Sequence, residues 1–276
     1  MKILEIADRV RYRKMTTEEL RSVFLLTELF LPGRLDTVYV DLDRTIIGSA
    51  VPLADELVLK SAPELRSEYF LERREIGILN IGGTGHIDVD SQRFCVASLD
   101  CLYVGRGAKA VTFRSDDPTK PAEFYLLSYL AHKEYPIRLS KIAELQAQSL
   151  GAQESCNKRQ IRKHIWSGGV SSSQLVMGLT ELESGNVWNT MPPHTHMRRS
   201  EVYLYWNLGP EDRILHLLGE PNETRHLLIA NKQVVISPGW SIHAGVGTVS
   251  YSFCWGMGGE NQAYDDMDRL NVSELR

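Results

Sequence analysis

The stretch Met191–Tyr205, MPPHTHMRRSEVYLY, decides how the rest of the chain is read. His194 and His196 are two residues apart, so on a strand both imidazoles leave the same face. That is the geometry two rings need to share one ion. Glu201 follows His196 by five, an odd offset that would put it on the opposite face of an unbroken strand. Residues 197–200 are therefore expected to form a bulge or turn, after which Glu201 opens the strand-like run VYLYWNL. A third imidazole comes from ISPGWSIH, residues 236–243, where Pro238-Gly239 makes a turn feeding the strand that carries His243. Three neutral nitrogens and one carboxylate suit Zn(II), Fe(II), Mn(II) or Ni(II), and ligand softness does not choose among them. An HxH pair alone is common among packed or solvated histidines. Joined to a carboxylate five residues on and a turn-borne histidine, it is a much rarer coincidence. His86, His132, His216 and His226 take the bland reading, and His164, beside Arg162 and Lys163, is ambiguous.

Outward from this stretch the texture is β. Before it run YVDL, ELVLKS, EIGILNIGG, HIDVD, FCVASLD, CLYVGRG, AVTFRS and EFYLLSYLAH; around it run QLVMGLTEL, RILHLL, RHLLIA, QVVISP and VSYSFCWG. Short β-branched and aromatic runs with closely spaced turn residues indicate antiparallel sandwiches or barrels. The similar rhythm of the two halves hints at a duplicated β-barrel. Helical signals are few. Thr16 and Glu19 form a capping-box pair ahead of apolar recurrence over residues 16–31, and Pro32-Gly33 stops it. Residues 139–150 and the tail from Gln262 also read as helical, with Asp265-Asp266 as a helix-start feature, and residues 146–173 read as a connector with room for one docked strand. Two domains are expected: 1–150, with the N-terminal helix and no metal site, and 151–276, carrying the metal. No βαβ alternation, GxGxxG or GxxxxGKS is present, which disfavours a nucleotide enzyme.

The 276 residues carry 31 Lys+Arg against 35 Asp+Glu, a net charge of −4. No broad basic field exists to draw nucleic acid or an anionic membrane, and no apolar run is long enough to span one. Four scattered cysteines without CxxC spacing argue against a disulfide scaffold or a thiol zinc site. The opening MKILEIADRVRYRKM has no secretory h-region, so a reduced, cytoplasmic setting is expected. A small acidic metabolite remains compatible, because a local basic pocket can exist in a net-acidic chain. Arg162, Arg198 and Arg199 are the candidates to hold its carboxylate, since a guanidinium fork matches carboxylate geometry.

His194, His196 and Glu201, with Pro238 and His243, resemble the two motifs of the cupin superfamily. The match departs at Gly185, at Gly209 and at Trp240, which takes the place of the second motif's glycine. Longer stretches, MGLTELESGNVWNTMPPHTHMRRSEVYLY, EPNETRHLLIANKQVVISPGWSIHAGVGT and RREIGILNIGGTGHIDVD, resemble the 5-keto-4-deoxyuronate isomerase family over nearly the whole chain. The resemblance implies an all-β bicupin of two jelly-roll barrels with a few peripheral helices, assembled as a homo-hexamer. It also implies one Zn(II) per chain on His194, His196, Glu201 and His243, and a role in pectin or related uronate breakdown. The implied reaction is an aldose–ketose isomerisation of a keto-uronate by proton transfer between C2 and C1. Glu201 as both ligand and base, and a separate base such as Tyr203, Tyr205 or an acidic residue of the tail, are both open. The competing readings are a metal-dependent cupin dioxygenase and a sugar-binding bicupin without turnover.

Overall fold

The structure, a computed structural model, describes residues 1–260 and 262–276. The chain forms two compact units. One comprises residues 1–4, 28–145 and 164–176; the other comprises 5–27, 146–163 and 177–276.

In the first unit a seven-stranded sheet is built around Arg74–Asn80, which pairs antiparallel with Phe124–Leu130 and Cys101–Val104. A four-stranded sheet is ordered Leu57–Val58, Val111–Ser115, Gly85–Val89, Gln92–Val96. Alternate residues of both sheets, such as Ile76, Ile78, Phe124, Ile87, Val89 and Phe113, meet in one buried core. Glu75 points away from that core. Its carboxylate accepts from the Tyr103 hydroxyl at 2.7 Å and from the backbone N–H groups of Ser173, Gln174 and Leu175 at 2.6–2.8 Å. These bonds tie residues 164–176 to the first unit.

The second unit follows the same plan. Its seven-stranded sheet centres on Arg199–Trp206, flanked by Ser252–Gly259 and Gln233–Ser237. Its four-stranded sheet is ordered Trp188–Asn189, Ile242–Gly247, Ile214–Glu220, Glu223–Ile229. Arg199–Trp206 is buried along its whole length, so its side chains alternate between two enclosed environments, and after Arg199, Ser200 and Glu201 its sequence reads as continuously apolar and aromatic.

The structure corrects several expectations. The Thr16–Glu19 capping box forms, but its helix covers only Thr17–Phe24. Leu25–Leu26 instead pairs with Val234–Val235, and Phe30 turns the chain at φ 60°. That pairing takes the helix into the second unit, so a cut at 150/151 with the helix in the first domain does not describe the chain. Residues 139–150 form no α-helix, only a 3-10 turn at Ile142–Glu144. Arg138–Ser140 pairs with Cys101–Tyr103, and Gln148–Leu150 pairs with Arg159–Ile161, so sheet ladders override the helical apolar recurrence. The connector holds a full strand, Arg159–Ile165. The tail is extended: Asp268–Arg269 pairs with His194–Thr195, followed by one 3-10 turn at Val272–Glu274.

Candidate metal centre

His194 lies on the short strand His194–Thr195, and His196 follows it directly. The backbone then closes a turn in which Arg199 N–H donates to His196 O at 3.2 Å. This is the bulge that the odd spacing requires, and it lets Glu201 point to the side of the histidines from the strand Arg199–Trp206. His243 is the second residue of Ile242–Gly247, entered through a turn in which Ser241 N–H donates to Pro238 O at 2.9 Å. The four side chains converge, each offering one ligand atom, all within 4.8 Å of one another.

Bonds on the far sides of the rings fix which nitrogen faces inward. His196 Nδ1–H donates to Arg199 O at 2.9 Å and His243 Nδ1–H to Ser241 O at 3.2 Å. In each ring the lone pair is thereby left on Nε2, the form a metal takes up. Those nitrogens lie 2.9 Å and 3.0 Å from the same oxygen, Glu201 Oε2, and His243 Nε2 lies 2.9 Å from His194 Nε2. Acceptors brought this close repel one another unless a cation sits among them, and such a spacing suits bonds of about 2.0–2.2 Å to one shared ion. The donor set fits a divalent metal.

The electrostatics agree. Burial, then the neighbouring His243, pushes the His194 pKa down to about 2, so this ring is neutral. Burial of Glu201 opposes ionisation, but the histidines around it win and hold its carboxyl well below the usual range. At His196 burial opposes a positive charge, and the adjacent Glu201 carboxylate outweighs it and favours one on the ring's inner side, the charge that a bound cation would supply there. A buried carboxylate with ready imidazole partners is a good ligand and a weak base.

The cluster opens on a cavity of about 310 Å³ whose wall includes His194, Glu201, Tyr203, Arg159, Tyr264 and Asp265. The tail thus folds over the barrel mouth, the condition under which its acidic pair becomes relevant to chemistry. None of the three arginines singled out from the sequence lines this cavity. Arg162 pairs with Glu181, because it lies one residue out of phase with the inward-facing Arg159 and Ile161. Arg198 binds Asp266 at 3.0 Å and Asp268 at 3.3 Å, while the buried Arg199 binds Asp266 at 2.6 Å and the Ala263 carbonyl. They hold the tail in place. Tyr205 is also turned away, its hydroxyl bonded to His216 Nδ1 at 2.8 Å. Arg159 was missed by sequence reasoning, and Tyr264 was read only as part of a helix start with Asp265-Asp266. The available signal was the alternation of Arg159 and Ile161 within a run that looked like a solvated linker.

Fold and site together define a bicupin with a three-histidine, one-glutamate cluster able to hold a metal ion. Residues 32–273 match the model of the KduI/IolB family. Proteins named 4-deoxy-L-threo-5-hexosulose-uronate ketol-isomerase are 50% identical in Caldicellulosiruptor bescii, over 96% of each chain, and 51% identical in Lachnoclostridium phytofermentans, over 95% of each. Among solved structures, an IolB-like protein of Salmonella typhimurium superposes with TM-score 0.74 over 90% of this chain and 96% of its own, at 13% identity. Bacillus subtilis oxalate decarboxylase does so with TM-score 0.56 over 79% and 70%, at 12% identity. The chain belongs to the KduI/IolB family, and it is an intramolecular oxidoreductase of the ketol-isomerase type.

Proposed function

We propose that the enzyme converts 5-keto-4-deoxyuronate to 3-deoxy-D-glycero-2,5-hexodiulosonate with one Zn(II) per chain, in the breakdown of pectin or related uronate polymers. The observation that carries this reading is the inward convergence of His194, His196, Glu201 and His243 on a cavity of about 310 Å³, a volume suited to a small polar metabolite. The names of relatives at about half identity supply the substrate.

The linear substrate has an aldehyde at C1, a hydroxyl at C2, a ketone at C5 and a carboxylate at C6. Isomerisation moves the C2 proton to C1 and the hydroxyl proton from the oxygen on C2 to the oxygen on C1, leaving a ketone at C2 and an alcohol at C1. Zinc held by the four side chains would supply Lewis-acid polarisation of the reacting oxygens. Asp265, the cavity carboxylate outside the ligand set, is assigned the proton shuttle between the two carbons. Burial, followed by the charge of Glu201, pushes the hydroxyls of Tyr203 and Tyr264 above their ordinary range. They stay protonated and donate hydrogen bonds to substrate oxygens. Glu201 is left as a ligand only.

Turnover in D₂O tests the chemistry. A shuttle that exchanges with solvent places deuterium at C1 of the product without consuming dioxygen, whereas oxygen uptake, or product with C1 wholly unlabelled, contradicts it. Asp265→Asn is expected to lower kcat by roughly 100-fold or more while metal content is retained. The free thiols of Cys95, Cys101, Cys156 and Cys254 support a reducing, cytoplasmic setting. The homo-hexamer proposed by resemblance is checked by light scattering, with six times the 31.2 kDa chain mass expected.

A further inference from the structure

We infer that Arg159 is the anchor for the substrate carboxylate. This deepens the keto-uronate reading and rests on it. Arg159 opens the strand Arg159–Ile165, pairs in register with Leu150, and with Ile161 faces into the cavity that holds the ligand cluster. Its Nη1 donates to Asn157 O at 2.8 Å, a bond that orients the guanidinium without neutralising it. Five other arginines of this unit meet carboxylates: Arg162 meets Glu181, Arg198 and Arg199 meet Asp266, and Arg9 and Arg13 meet Glu220; Arg21, Arg213 and Arg225 donate to backbone carbonyls outside the cavity. No carboxylate of a described residue lies within ion-pair distance of Arg159.

The surroundings make that lack of a counter-charge informative. Arg159 is partly buried, and burial pushes its pKa down. Its charge is therefore held in a poorly solvated place with no carboxylate of a described residue close enough to pair with it, an arrangement that costs free energy until an anion arrives. The tail closes one side of the space: Tyr264 stacks on Trp255 at 5.1 Å and takes the Lys163 ammonium over its ring at 3.9 Å. A linear keto-uronate carries its reacting carbonyl and its carboxylate at opposite ends. The cavity offers the ligand cluster for one end and a fork of N–H donors for the other. Arg269 also lines the cavity, but at its exposed rim, where water screens its charge.

The test compares wild type, Arg159→Gln and Arg159→Lys on 5-keto-4-deoxyuronate and on the same compound with its C6 carboxylate reduced to the alcohol. Arg159→Gln is expected to raise KM for the uronate roughly 10- to 100-fold, with kcat within a few-fold and metal content unchanged. On the alcohol, wild type and variant should agree within about threefold, and Arg159→Lys should recover part of the loss on the uronate only. An unchanged KM for the uronate, or an equal loss on both compounds, overturns the assignment. A measurement on wild type alone covers failure of the variants to fold: galacturonate should compete with substrate at least tenfold better than galactose, and equal competition overturns the anchor. Wild type that leaves the keto-uronate unconverted would refute the proposed activity instead. In that case, raised thermal stability with galacturonate in wild type but not in Arg159→Gln still reads the anchor.

Discussion

Gly239 shows how one residue sets the metal centre. A Cβ there would lie 2.9 Å from His196 O and 3.1 Å from Arg199 O, so the second-motif turn must be small at 239. Position 240 is free to carry Trp240, whose ring packs 4.8 Å from Tyr12. The departure from the cupin motif is thus a shift of the small residue by one place, with the bulky one turned to packing. Gly239→Ala is expected to displace His196 and weaken zinc binding about 10- to 100-fold in chelator competition, with the fold retained. His216 gives a pH prediction. Burial, followed by the nearby His243, lowers its pKa to about 3. Unfolded histidine takes a proton near 6.5, so between about pH 6.5 and 3 the unfolded chain binds the extra proton and stability falls as pH falls, by about 1.4 kcal/mol per pH unit for one such group. In metal-free protein, His216→Gln should shallow the fall in Tm between pH 7 and 5; an unchanged slope would rule His216 out as a contributor. The four converging side chains, His194, His196, Glu201 and His243, were legible because their spacing is itself the constraint. Arg159 was not, because an arginine in a polar run looks solvated until strand register aims it inward.

Among the elements, the central strands were readable because burial on both faces leaves long apolar runs, as in EIGILN and EVYLYW. Ile46–Ala50 escaped notice despite being wholly buried, since Gly48 and Ser49 dilute the pattern. The helical misreadings share one cause. Residues 139–150 and the tail have helix-compatible composition, and pairing with Cys101–Tyr103, Arg159–Ile161 and His194–Thr195 outweighs it. The tail's strap over the cavity makes Asp266 the next prediction. Asp266→Ala removes a partner of both Arg198 and Arg199, so kcat/KM should fall at least roughly tenfold and proteolysis of the tail should accelerate, while metal content stays at the wild-type level. Equal protease sensitivity would show that the strap is held otherwise. In the first unit, Glu75→Gln places an amide donor against backbone N–H donors. It should lower stability by about 2–4 kcal/mol in urea unfolding.

Across the whole molecule, one strand order occurs twice. Each unit has a seven-stranded and a four-stranded sheet whose inner strands follow the same sequence of connections; the edges differ, since the last edge strand is Arg138–Ser140 in the first unit and the N-terminal Leu25–Leu26 in the second, and the residues of the two halves show little similarity. The duplication hinted at by the rhythm of the strands is therefore present in topology. The chemistry is not duplicated. The third residue of the central strand is Glu201 in one unit and the buried Ile76 in the other, and the inward-facing residues of Val111–Ser115 are the apolar Val111 and Phe113. Hydrophobic residues such as Ile76 and Ile78 fill the interior of the first unit, and the second keeps a polar cavity. Zinc bound to the folded chain should raise its stability by about 3–4 kcal/mol at 100 to 1,000 times the dissociation constant, seen as a Tm that falls on chelation.

The most direct test is to titrate metal-free enzyme with Zn(II) and follow loss of the aldehyde proton of 5-keto-4-deoxyuronate by NMR against bound metal. The rate should rise in proportion to occupancy and level off at one zinc per chain, with His243→Ala neither retaining metal nor turning over. Full turnover by metal-free protein, or none by folded protein carrying one zinc per chain, would contradict the account.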